Sequence, residues 1–113
     1  MKTAIIVNLQ VEGVHSWENC PIQEVAFLRN SHRHMFHIKV EKEVTHDDRD
    51  IEIIQFKRDI LTYLHKSFYN DDDRCLWLRN LSCEQLAKRI LNQFQCDSVQ
   101  VLEDGENGAV AYV

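Results

Sequence analysis

His32-Arg33-His34 is the stretch whose residue types and spacing point most directly to chemistry. It leads into Phe36, Ile38 and Val40, which alternate with polar residues as a half-buried strand does. Side chains two apart on a strand share a face, so His32 and His34 project together and Phe36 continues their row. His37 falls on the opposite face with Met35. Two imidazoles side by side are half of a tetrahedral zinc site, which needs a third ligand from elsewhere and, for catalysis, an open fourth position. Taken alone, paired histidines on a half-exposed strand more often bind nothing.

The surrounding chain limits what such a pair can serve. Its 113 residues form one domain, 1–113, with enough chain for a core and no room for a second. A net charge of −5 argues against nucleic-acid binding, which asks for a basic stripe, and gives no reason to sit on anionic lipid. No apolar run approaches the roughly 20 residues of a membrane span. Residues 1–7 are followed at once by Asn8, Gln10 and Glu12, which is unlike a signal peptide, so a cytoplasmic protein is expected. Cys20, Cys75, Cys83 and Cys96 form no CxxC and read as reduced thiols.

Residues 3–15 read as the first strand. Val7, Leu9 and Val11 share a face, which His15 continues unless a bulge at Gly13 re-aims it. Residues 16–31 read as a loop with a turn at Asn19-Cys20-Pro21 and an apolar patch at Val25-Ala26-Phe27-Leu28. Residues 34–44 are the second strand, antiparallel to the first. A helix over 53–68 follows from Ile53, Phe56, Ile60, Leu61, Leu64 and Phe68, with Asp50 as its N-cap. Asn70-Asp71-Asp72-Asp73 ends it as a solvated loop. Ser82-Cys83-Glu84-Gln85 fits a capping box opening a second helix, whose apolar stripe runs from Cys83 to Phe94. Residues 98–103 and 109–113 are two further strands around a Gly-containing turn. The expected fold is α+β: a four-stranded antiparallel sheet in β-β-α-α-β-β order, with two helices on one face.

Four landmarks in that order carry a resemblance. They are Glu12-Gly13-Val14-His15-Ser16-Trp17, closing strand one; His32-Arg33-His34 before Met35-Phe36; Ser82-Cys83-Glu84-Gln85-Leu86-Ala87, opening helix two; and Val99-Gln100-Val101-Leu102-Glu103 before the last turn, with a late Tyr112. Together they resemble the 6-pyruvoyl-tetrahydropterin synthase and 6-carboxy-tetrahydropterin synthase family, a branch of the tunnelling T-fold. The resemblance implies that His15, His32 and His34 bind Zn2+. It implies that Glu103 anchors a pterin- or purine-like ring, since a carboxylate accepts two parallel N–H bonds from a 2-amino-pyrimidinone edge. It also implies a homo-hexamer, a dimer of trimers with sites at subunit junctions, and a carbon–oxygen lyase activity on dihydroneopterin triphosphate.

The chain also departs from that family. The loop before His32 holds no cysteine where catalytic members carry their base, and Gln55-Phe56 stands where members have Asp-Phe. Cys20 and His65 are the remaining candidates for catalytic groups. Without a base, a factor of roughly 100 to 10,000 in rate is unexplained. The alternative function is therefore non-catalytic binding or sequestration of a purine- or nucleotide-like small molecule on the same scaffold.

Overall fold

A computed structural model describes residues 1–113. Two long strands form its spine: β1 (Thr3–His15) and β2 (His32–Val44), antiparallel from Thr3↔Val44 to His15↔His32 without a break. Because the pairing never slips, every odd residue of β1 shares a face with every even residue of β2. Val7, Leu9, Phe36, Ile38 and Val40 thus bury on one side.

Helix α1 (Ile53–Phe68) buries Phe56, Ile60, Leu64 and Phe68, four residues at helical spacing. Ile53, expected in that stripe, is exposed. The cap also differs. Glu52, not Asp50, accepts from the amides of Ile54 and Gln55, at 3.1 and 2.7 Å. Asp50 instead ties back the end of β2, accepting from the amide and hydroxyl of Thr45. The chain then forms β3 (Tyr69–Asn70) and β4 (Cys75–Arg79), a short hairpin. Helix α2 (Cys83–Phe94) opens with the capping box of Ser82 and Gln85 and buries Cys83, Leu86, Ala87 and Ile90. Lys42 of β2 closes its other end, donating to the carbonyls of Phe94 and Gln95. Strands β5 (Ser98–Glu103) and β6 (Asn107–Tyr112) complete the fold. Both helices contribute to one core with Val99 and Val101 of β5, and Phe94 of α2 meets Phe56 and Tyr63 of α1 edge to face.

The sheet corrects the expected architecture. It is six-stranded and mixed, in the order β3-β4-β1-β2-β5-β6, not a four-stranded antiparallel T-fold sheet in β-β-α-α-β-β order. Strand β4 lies parallel to β1, between the two helices in sequence, in a stretch beyond the expected Asn70–Asp73 loop to which no element was assigned. The alternation of Leu76 and Leu78 with Trp77 and Arg79 carries the β signal, since Leu76 and Leu78 are buried and the other two exposed. The Asp run is the tip of that hairpin, where the Asn70 side chain accepts from the amides of Asp72 and Asp73. A 3-10 helix, Gln23–Arg29, carries the apolar patch of the loop before β2. No helix is long and apolar enough to cross a membrane.

Candidate metal centre

Three histidines meet where β1 ends and β2 begins. His15 faces His32 across the ladder, and His34 stands opposite Gly13, one pleat further along the same face. No bulge interrupts the β1–β2 ladder at Gly13, so His15 keeps its expected place in the apolar row; the one register shift of β1 is against β4, between Val14 and His15. The ring centroids of His15 lie 4.6 Å from those of His32 and 5.3 Å from those of His34. One ligand nitrogen from each of the three falls within 4.8 Å of the others. Gly13 leaves room for the Phe36 ring beneath the cluster. A Cβ there would stand 3.1 Å from both Phe36 and Leu78, and the Phe36 ring packs edge-on against His15 and His34.

Each ring is held by its other nitrogen. Nδ1 of His15 donates to the carbonyl of Leu81 at 2.9 Å, Nδ1 of His32 to the carbonyl of Asn30 at 2.8 Å, and Nδ1 of His34 to the Asp104 carboxylate at 2.7 Å. Carbonyls and ionised carboxylates only accept, so in each neutral ring the proton sits on Nδ1 and the lone pair on Nε2. Outer partners of this kind fix tautomer and orientation in metal-binding histidines. The Nε2 atoms of His15 and His34 are buried and make no hydrogen bond. A buried nitrogen without a partner is costly, and three imidazoles bearing inward lone pairs are the donor set of a three-histidine zinc site. The residues present therefore fit a zinc ion.

Burial holds His15 below the ordinary histidine pKa, outweighing the pull upward from the Leu81 carbonyl and Glu103; the neighbouring His32 and His34 push it further down. Below that range the imidazole stays neutral, as a ligand must be. Asp104 is held below the ordinary aspartate range, chiefly by the hydrogen bond from His34 and next by the Met35 amide.

Glu103 ends β5, in register with Phe36, and turns its carboxylate toward the histidines. Its Oε2 lies 3.0 Å from Nε2 of His15 and its Oε1 3.7 Å from Nε2 of His34. The Cys83 thiol donates to Oε2 at 3.7 Å. A cleft of about 550 Å³ opens beside this cluster, lined among others by His15, His32, Glu103, Cys83, Ser82 and Trp17. That size suits a small molecule.

The two candidate catalytic residues are elsewhere. Cys20 is buried in its own loop, its thiol directed at the carbonyls of Ile22 and Val25, and it does not line the cleft. His65 is exposed on α1 and stacks on Tyr69, with centroids 4.2 Å apart. Two contributors escaped the sequence reading. Asp104 had no signal beyond adjacency to Glu103. Cys83 was expected in the core, where it is, but it also faces the carboxylate. No family model matches the chain, and no curated protein does.

Proposed function

We propose that this protein binds zinc through His15, His32 and His34 and holds a pterin- or purine-like ring in the adjoining cleft, in the manner of the 6-pyruvoyl- and 6-carboxy-tetrahydropterin synthases. The observation that carries this reading is the set of outer partners: each Nδ1 faces an acceptor, which leaves a lone pair on each Nε2, and the three side chains bring ligand atoms within 4.8 Å of one another. Bound zinc supplies Lewis-acid polarisation of a ligand oxygen. Glu103 accepts the paired N–H groups of an amino-pyrimidinone edge. Trp17, partly exposed at the cleft wall, offers a flat apolar face to the ring. The protein would act as a cytoplasmic homo-oligomer, a hexamer if the family's assembly carries over.

Catalysis on dihydroneopterin triphosphate also needs a base. The only thiol beside Glu103 is Cys83, whose pKa burial and then the Glu103 charge push up to about 12, so at neutral pH it keeps its proton and cannot serve as the base. Cys20 and His65 stand apart from the cleft. These placements favour the second reading, a binder that sequesters a purine- or pterin-like molecule without turning it over.

The test is metal content with ligand binding. Purified protein is expected to carry zinc near one per chain, and His34→Ala to lose it. Neopterin or guanosine should raise the melting temperature of the zinc-loaded form. A wild type that takes up no zinc sinks the reading. Turnover of dihydroneopterin triphosphate by the zinc form would decide for the lyase over the binder.

A further inference from the structure

We infer that Glu103 is the fourth ligand of the metal held by His15, His32 and His34, so that without a ring ligand the centre is a closed set of three imidazoles and one carboxylate. This rests on the zinc reading above and concerns what occupies the position that reading left open. Two ligand atoms about 2.0–2.1 Å from one zinc, at tetrahedral angles, are separated by roughly 3.3 Å. Oε2 of Glu103 stands 3.0 Å from Nε2 of His15, and the other oxygen, Oε1, stands 3.7 Å from Nε2 of His34, so each oxygen is near that separation from a different imidazole.

The contact has no other account in the protein's own hydrogen bonds. Nε2 of His15 carries a lone pair, because its Nδ1 proton is committed to the Leu81 carbonyl. A lone pair and a carboxylate oxygen at 3.0 Å repel unless a positive centre lies between them, and the pair makes no hydrogen bond. Nor is the carboxylate there by chance of a mobile side chain. Glu103 sits in the ladder between Phe36 of β2 and Asn107 of β6, and the Cys83 thiol donates to the same Oε2. Drawing four donors onto one ion asks the histidine nitrogens, within 4.8 Å of one another, to close by up to about 1.5 Å.

A consequence follows for the ring. A ligand that takes Glu103 through paired N–H bonds must draw it from the metal, so ring binding itself opens the fourth position.

Cobalt-loaded protein tests this, since Co2+ absorption reports coordination number. Wild type is expected to show strong tetrahedral bands that excess azide leaves unchanged. Glu103→Gln should lose band intensity, respond to azide, and bind Co2+ at least 10-fold more weakly in chelator competition. Equal affinity and spectrum in the variant would overturn the assignment. So would a wild-type spectrum that azide shifts, a measurement that needs no variant to fold. A wild type that binds neither Co2+ nor Zn2+ would overturn the zinc reading itself; metal bound without Glu103 overturns only the fourth ligand.

Discussion

His34 donates its Nδ1–H to Oδ2 of Asp104 at 2.7 Å, while Oδ1 of the same carboxylate accepts the Met35 amide at 3.0 Å. One side chain from the turn after β5 thus clamps both the ring and the backbone beside it. Removing such an outer partner typically costs 10- to 100-fold in metal affinity. Asp104→Ala is expected to weaken zinc binding by roughly that factor, read by chelator competition, with little change in the far-UV spectrum. Unchanged affinity would show that His34 needs no carboxylate to hold its ring.

Gly13 is expected to be intolerant of bulk. Replacing a strand glycine with a larger residue gains about 0.4–1 kcal/mol by restricting the unfolded chain. Overpacking costs about 1–3 kcal/mol, and any Cβ at Gly13 already meets Phe36 and Leu78 at 3.1 Å. Overpacking wins, so Gly13→Val should lower the melting temperature by several degrees. Because Phe36 packs against His15 and His34, zinc affinity should fall as well. A variant as stable as wild type would mean that Phe36 moves aside without strain.

The pH dependence follows from His15. Its folded pKa lies below the ordinary 6.5. The unfolded chain therefore takes up a proton first as pH falls. This contribution to stability is complete above about pH 6.5 and is lost as pH drops from there through the folded value. Metal-free protein should melt progressively lower across that window, and zinc should be released in the same direction, since protons and metal compete for the imidazoles. His15→Gln should flatten the metal-free profile. A wild-type profile rising toward acid would contradict the sign.

Cys83 should be chemically quiet. A thiol pushed up to about 12 holds almost no thiolate at pH 8, and Cys83 is buried as well. Iodoacetamide at pH 8 is expected to leave Cys83 unmodified in the native protein and to alkylate it in denaturant, as peptide mass spectrometry would show. Rapid native labelling would mean that the cleft opens to solvent at α2.

Much of the site was legible because it depends on strand period and local chain chemistry. The period of two puts His32, His34 and Phe36 in one row of β2, and Val7, Leu9, Val11 and His15 in one row of β1. Ser82 and Gln85 cap their helix through contacts three residues apart. The resemblance, not the pattern, joined His15 and Glu103 to the histidine pair. Other features were not legible, for a common reason. Strand β4 is short, and its pairing partner, β1, lies some 60 residues earlier, so only long-range packing decides that it is a strand at all. Glu52 prevails over Asp50 as helix cap because Thr45 has already engaged Asp50.

The amino-acid sequence by itself determined which side chains share a face, the span of α1 and the capped start of α2, because these follow from periods and contacts spanning a few residues. Tertiary structure alone decided that Asp104 grips His34, that Glu103 meets His15, and that Cys20 and His65 stand elsewhere. Those relationships require β1, β2 and β5 to lie side by side in one register. That register is set by burying Phe36, Ile38, Val99 and Val101 together, which no local pattern specifies.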